Sequence, residues 1–455
     1  MNIMTFRKAF LSAVVFISLF SVTISAQWQP VKHPDWSRNA TIYEVNVRQY
    51  TPEGTFRAFE KHLPELKSLG VGILWLMPVH PIGEKNRKGS LGSYYAVRDY
   101  KKINPEFGTL NDFKHLVSKS HSMGMRVIID WVANHTAQDH QWVTTHPEYY
   151  TRDSAGNFVS PFDWTDVLDL NYDNKGLQEE MAESLEYWVK ECNIDGYRCD
   201  VAAMVPTEFW NMVRPRLEKI KPVFMLAEAH ENYLHKYAFD MTYNWQLKDL
   251  MNDIAKSKKN AMDIDKYYSQ ADTLYGIDDY RMNFTTNHDE NSWNGTEYER
   301  LNGGVECFTA LTFIVEGMPL IYSGQEAGMN KALRFFDKDT IIWKKDRMRD
   351  IFTKLTSLKK KNPALANGAV GGPMLRLFTG NDENIYAVAR IADGRKVIGI
   401  FNLSALPQKA SIRPPVSLGL AGLYRDVIKQ TAVTFENRME YSLAPWEYMV
   451  LEDKH

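Results

Sequence analysis

The sequence predicts an α/β chain built on a (β/α)8 barrel, with a small insertion after the third strand and a C-terminal antiparallel β domain. Three observations carry this. Short apolar runs ending in polar residues alternate with longer amphipathic stretches from about Ile42 to about Lys361; eight such units can be counted; and beyond about Asn367 the pattern changes to short alternating strands broken by Gly, Pro and Asn. Strands buried on both faces and alternating with helices form a parallel sheet, and eight units favour closure into a barrel over an open doubly wound sheet.

Taken in order, the candidate strands are Ile42–Val47, Gly72–Met77, Arg126–Asp130, Gly196–Asp200, Val223–Glu228, a weaker run at Ala238–Thr242, Met282–Thr286 and Leu320–Tyr322. Between the first two, Phe56, Phe59, Leu63, Leu66 and Leu69 recur at three- and four-residue steps, so a helix is expected over Thr55–Leu69 with Gly70 as its stop. Leu177–Cys192 repeats that design. About sixty residues separate Asp130 from the next strand, and loops of that length are functional or form small subdomains. The polar, aromatic stretch His140–Tyr172 is therefore expected to stand over the barrel mouth. The expected division is a barrel over 36–365 with the insertion at 136–175, followed by a C-terminal β-sandwich at 367–455, whose strands include Ile385–Arg390, Lys396–Asn402 and Tyr448–Leu451.

The first residues read as a cleavable secretory leader over 1–26: Arg7 and Lys8, an apolar run from Ala9 to about Ile24, then small residues at Ser25 and Ala26. That run is shorter than the roughly 20 residues a spanning helix needs, and no later segment could span a bilayer. Gln27 rather than Cys follows the cleavage point, against lipid attachment. Export to the periplasm or the exterior is the expectation. Cys192, Cys199 and Cys307 are too few for a disulfide framework. Lys plus Arg (54) nearly balances Asp plus Glu (56) with no basic stripe, which excludes a nucleic-acid-gripping surface.

In a (β/α)8 barrel the chemistry sits at the carboxyl ends of the strands. Those ends are polar here: Asp130 with Asn134 and His135 after strand three, Arg198 and Asp200 on strand four, Glu228 on strand five, His288 and Asp289 after strand seven. Residues two apart share a strand face, so Arg198 and Asp200 point one way and Cys199 the other. A guanidinium beside Asp200 is expected to keep it ionised, as a nucleophile requires; Glu228, closing an apolar strand without a paired cation, is expected to hold a proton. Retaining glycoside hydrolysis needs such a pair about 5 to 5.5 Å apart, and neighbouring strands lie about 4.8 Å apart; inversion needs a wider gap. Carboxylates at barrel strand ends also bind metals or abstract protons, so the pair alone leaves those alternatives open.

Four segments in order raise the specificity. Asp130-Trp131-Val132-Ala133-Asn134-His135, Gly196-Tyr197-Arg198-Cys199-Asp200, Leu226-Ala227-Glu228 and Thr286-Asn287-His288-Asp289 resemble, in sequence order, the motifs of the α-amylase family of glycoside hydrolases (family 13). The segments Gly92–Tyr100 and Gly317–Glu326 match as well. The resemblance implies Asp200 as nucleophile, Glu228 as general acid/base and Asp289 as the carboxylate gripping sugar hydroxyls. It further implies that Tyr95 stacks on the sugar that His135, Arg198 and His288 hold. The substrate implied is an α-glucan or maltooligosaccharide cleaved at α-1,4 bonds.

One departure stands out. Val201-Ala202-Ala203-Met204 follows Asp200, where many α-amylases place Lys-His at the last two positions, contacting substrate and a structural calcium ion. The chemistry needs no cofactor. Asn134, with Asp163 or Asp166, supplies the hard-oxygen candidates for calcium, and the missing pair counts against the usual site and against long starch chains as preferred substrate. Three rivals remain at this level: a transglycosylase of the same family (glucanotransferase or trehalose synthase type), a catalytically inactive sugar-binding relative, and a metal-dependent barrel hydrolase drawing on His135 and His288.

Overall fold

Each apolar run becomes a short buried strand in the computed structural model, which describes residues 28–454; the leader read at 1–26 lies outside the described residues. The barrel strands are β1 (Ile42–Val45), β2 (Ile73–Leu76), β3 (Arg126–Trp131), β4 (Gly196–Cys199), β5 (Phe224–Ala227), β6 (Met241–Tyr243), β7 (Tyr280–Asn283) and β8 (Met318–Tyr322). All pair in parallel with their neighbours, and the ring closes where Ile42 meets Leu320.

Side chains alternate across the strands. Ile42, Ile73, Ile128, Phe224, Leu226, Met241, Met282 and Leu320 fill the barrel interior, while Tyr43, Leu74, Val127, Ile129, Tyr197, Cys199, Met225 and Ile321 pack outward among the helices. Gly196 opens β4 at φ +144°, and a Cβ there would fall 1.9 Å from the Phe224 carbonyl oxygen, so β4 and β5 approach this closely only with glycine at that point.

Several expected boundaries shift for local reasons. The stretch Thr55–Leu69 is two helices, Phe56–Glu60 and Leu63–Leu69, because Pro64 can enter only at the start of a helix; Gly70 caps the second in the left-handed conformation, as expected. The first strand stops at Val45, since the Asn46 side chain accepts the Gln49 N–H and starts a short helix. The seventh begins earlier, at Tyr280, and Thr285 leaves the ladder to donate its hydroxyl to Glu297.

After β3 the insertion forms a two-stranded antiparallel ladder, His135–Ala137 with Val167–Asp169, and the chain re-enters the barrel through the helix Lys175–Cys192. The C-terminal part holds a six-stranded antiparallel sheet and the pair Gln408–Ile412 with Met439–Leu443, the two sharing one apolar core that includes Ile385, Ile398, Ile412, Phe435, Leu443 and Leu451. All three cysteines are buried and unpaired. Among the described residues no helix is long and apolar enough to cross a membrane.

Candidate active site

At the carboxyl ends of the strands the interior of the barrel turns polar. Glu44 of β1, Trp75 of β2, Asp130 of β3, Arg198 of β4 and Tyr243 of β6 form this upper layer, all fully buried. Arg198 is its centre. Nη1 donates to Asp130 Oδ1 and to Asp200 Oδ1, both at 2.9 Å; Nη2 lies 2.9 Å from Glu228 Oε1; and Nε donates to the Tyr243 hydroxyl at 3.1 Å. The rings of Trp75, Tyr95 and Tyr243 surround the guanidinium at 5.1 to 5.7 Å.

The ladder continues one residue past the strand ends: Asp200 N–H donates to the Trp131 carbonyl and Glu228 N–H to the Cys199 carbonyl, each at 2.9 Å. Neighbouring strand tips thus set the two carboxyl groups side by side. Val201, a β-branched residue at φ +36°, then turns its N–H onto Glu228 Oε2 at 2.7 Å.

These contacts correct two expectations. Glu228 does have a cation, because a planar guanidinium reaches across to the neighbouring strand with its second nitrogen, and Arg198 does not serve Asp200 alone. Burial pushes the Asp200 carboxyl well above its usual range; crowding by Glu228 and Asp130 adds to this, and Arg198 opposes it. Burial likewise raises Glu228, with Arg198 opposing and Asp289 adding. One guanidinium among three buried carboxylates leaves negative charge in excess, and each carboxyl is raised by burial against the pull of Arg198.

His288 is the second cation. Its Nδ1 meets Glu44 Oε1 at 2.5 Å, and its Nε2 lies 2.7 Å from the Tyr95 hydroxyl and 3.3 Å from Asp289 Oδ2. Burial works against its charge, but Asp289 and Glu44 outweigh it and hold the imidazole up at about 9. A histidine raised in this way adds stability that is complete below its unfolded value of about 6.5 and lost as pH rises through the folded value. Glu44→Gln removes one of the two charges, so the His288 pKa, followed by ¹⁵N NMR of the ring, is expected to drop and the alkaline loss of stability to move to lower pH. An unmoved pKa would leave Asp289 alone responsible.

His135, buried against the edge of Trp164, is pushed down to about 3 and stays neutral. Tyr95 stacks on His288 with centroids 5.5 Å apart and donates its hydroxyl to Asp130 Oδ2 at 3.0 Å. Tyr95, His135, Asp200, Glu228, His288 and Asp289 line one cavity of ≈ 290 Å³. Arg198 lies beneath its floor, and Asn134 stands outside it.

Sequence reasoning missed several of the neighbours. Glu44 left a signal, a charge inside an apolar strand. Trp164, Trp293 and Phe335, which also line the cavity, and the backbone of Val201 left none.

Residues 33–166 and 150–367 match the model of the α-amylase catalytic domain. The chain belongs to the α-amylase family.

As a member of that family it is a glycosidase, and most of its length matches known relatives. A maltogenic α-amylase from Thermotoga neapolitana superposes with a TM-score of 0.83 at 30% identity, over 91% of this chain and 98% of that one. An α-amylase of Haloarcula japonica is 24% identical over 83% of this chain; the match spans 57% of that longer protein. A trehalose synthase/amylase of Mycobacterium tuberculosis is 24% identical over 82% of this chain and 83% of its own length.

The three oxygen candidates for calcium, Asn134, Asp163 and Asp166, are each engaged elsewhere or exposed. Asp166 is engaged by Lys88 at 3.2 Å, Asp163 is exposed, the Asn134 amide leans on His135 Nδ1 at 3.3 Å, and Met204 stands where the family's histidine would be. No three His, Cys, Asp or Glu side chains gather as ligands among the described residues. This donor set does not fit a cation that wants six to eight oxygens.

Proposed function

We propose that this glycosidase hydrolyses α-1,4-glucosidic bonds of maltooligosaccharides and starch-derived chains with retention. The observation that carries the reading is the pair Asp200 and Glu228 on adjacent nitrogens of one buried guanidinium, at the floor of a cavity whose rim carries Asp289. A shared guanidinium favours the short carboxyl separation of a retaining enzyme over the wider gap that an inverting water needs.

In this reading Glu228 gives its proton to the glycosidic oxygen while an Asp200 oxygen bonds the anomeric carbon and the bond to the leaving sugar breaks. The ester at Asp200 carries no negative charge, so the field of Arg198 is shared by Asp130 and Glu228 only and favours the Glu228 carboxylate more than before. That carboxylate then takes a proton from water as the water oxygen attacks the anomeric carbon, and Asp200 leaves as carboxylate. Positive charge developing on the sugar is met by Asp200 and by Asp289, while His288 and His135 hold hydroxyls and Tyr95 stacks on the ring.

Maltotriose turnover followed by proton NMR tests this: α-anomer is expected at early times, and β-anomer would overturn retention. Longer oligosaccharides appearing at high substrate concentration would shift the reading to glycosyl transfer, which the trehalose synthase/amylase relative makes a real second outcome. We further propose export to the periplasm or the exterior, supported by the leader-like residues 1–26.

A further inference from the structure

The segment between β2 and the helix Leu110–Ser122 doubles back through the Ile82–Val97 bridge, and its tip is fastened on both sides. Toward the insertion, Glu84 N–H donates to Asp139 Oδ2 at 3.0 Å, Asn86 Nδ2 to Gln138 Oε1 at 2.9 Å, and Lys88 Nζ pairs with Asp166 Oδ1 at 3.2 Å. Toward the loop after β8, Leu91 N–H donates to the Phe336 carbonyl at 2.9 Å, and Ser90 gives its N–H and hydroxyl to Asp337 Oδ1 at 2.8 and 2.6 Å. Gly89, at φ +62°, lets the tip lie flat on that loop, since a Cβ there would fall 2.5 Å from Phe336 Cβ. A strap therefore crosses the rim from the third strand's insertion to the eighth strand's loop.

Position around the ring gives the strap its meaning. Glu228 closes β5, with β3 and β4 lying between it and β2, so the strap and the acid stand on different sides of the mouth. The leaving chain must lie on the side of the group that protonates it, which puts the retained sugars against the strap. Lys88, Asp166 and Phe336 line the same cavity as Asp200, Glu228 and Asp289; the Asp166 side chain is 6% exposed and that of Lys88 33%.

We propose that Lys88 and Asp166 read the non-reducing end of the glucan, so that the enzyme shortens chains from their ends rather than cutting within them. This rests on the retaining α-glucan hydrolysis set out above. Only an end sugar carries a free 4-hydroxyl, and the ammonium–carboxylate pair offers it a donor and an acceptor in a largely buried setting. An internal sugar carries a further glucose at that oxygen and so offers the pair no free hydroxyl, and the added ring would have to find room beside the strap that Lys88 contributes to the cavity wall.

The test compares maltoheptaose with maltoheptaose whose non-reducing 4- and 6-hydroxyls are tied in an acetal. The capped chain is expected to lose at least about tenfold in kcat/KM, about 1.4 kcal/mol, and the free chain to release early product of a single short length. Capped and free chains cut within about twofold of each other, or early products of many lengths, would overturn the proposal. Cleavage of neither chain overturns the α-glucan reading itself, and this proposal with it. The double substitution Lys88→Ala, Asp166→Ala is expected to narrow the preference for the free chain at least about threefold; an unchanged preference would remove these two residues from the role.

Discussion

Asp200→Ala is expected to abolish turnover of maltooligosaccharides, and Glu228→Gln to lower kcat by about 10²–10⁴-fold, the usual worth of a positioned proton donor. The two losses have different characters. Without Asp200 no atom remains at the cavity floor to bond the anomeric carbon. Without the Glu228 proton, sugars with good leaving groups should still form the glycosyl-enzyme, so a nitrophenyl glycoside should give a burst of nitrophenol in Glu228→Gln and none in Asp200→Ala, while the later step, which needs the Glu228 carboxylate as base, stays slow. Absence of that burst in Glu228→Gln would mean that the roles are wrongly divided. Stability should move the opposite way to activity. Burial and two neighbouring carboxylates raise Asp200 in the folded state, so its charge costs stability above the folded pKa and costs nothing below the unfolded value of about 3.9. Asp200→Asn is therefore expected to be more stable at neutral pH by ~0.5–2 kcal/mol, a gain that fades as the medium is acidified.

Arg198→Ala is expected to cost about 3–5 kcal/mol in denaturant titrations near neutral pH. It strips the shared cation from Asp130, Asp200 and Glu228, which stay buried in a sleeve of aromatic rings. With the guanidinium gone their folded pKa values climb further above the unfolded ones. The deficit relative to the unaltered enzyme should then shrink as pH falls and the carboxyls are neutralised. A deficit that stays constant from about pH 7 to about pH 5 would place the loss in packing instead of charge.

The barrel was legible because strand alternation and strand-end polarity are local. Ile42, Ile128 and Leu226 fall inward in the order that a period of two dictates, and Asp130, Arg198 and Glu228 follow them on the same face. The helix break at Pro64 is local in the same way, because proline fits only the first turn of a helix. What the sequence did not carry is contact between strands. Nothing in Gly196–Asp200 says that the second nitrogen of Arg198 reaches Glu228, so the electrostatic division between the two carboxyls drawn from neighbours in sequence was wrong in kind. Glu44 and His288 lie at opposite ends of the barrel in sequence and meet only because the ring closes. The strap is less legible still, since a turn-rich segment such as 84–92 shows its partners only once Asp139, Asp166 and Asp337 are in place.

The three cysteines have a bearing on how such a chain matures. Each thiol is buried, and burial raises its pKa, so little thiolate exists to attack an oxidant or a partner. The native fold therefore contains no cross-link that the redox state of its surroundings could make or break. The thiols are exposed to oxidation only before they are buried, so the state to protect during folding is an intermediate in which Cys192, Cys199 or Cys307 is still uncovered and two chains can cross-link.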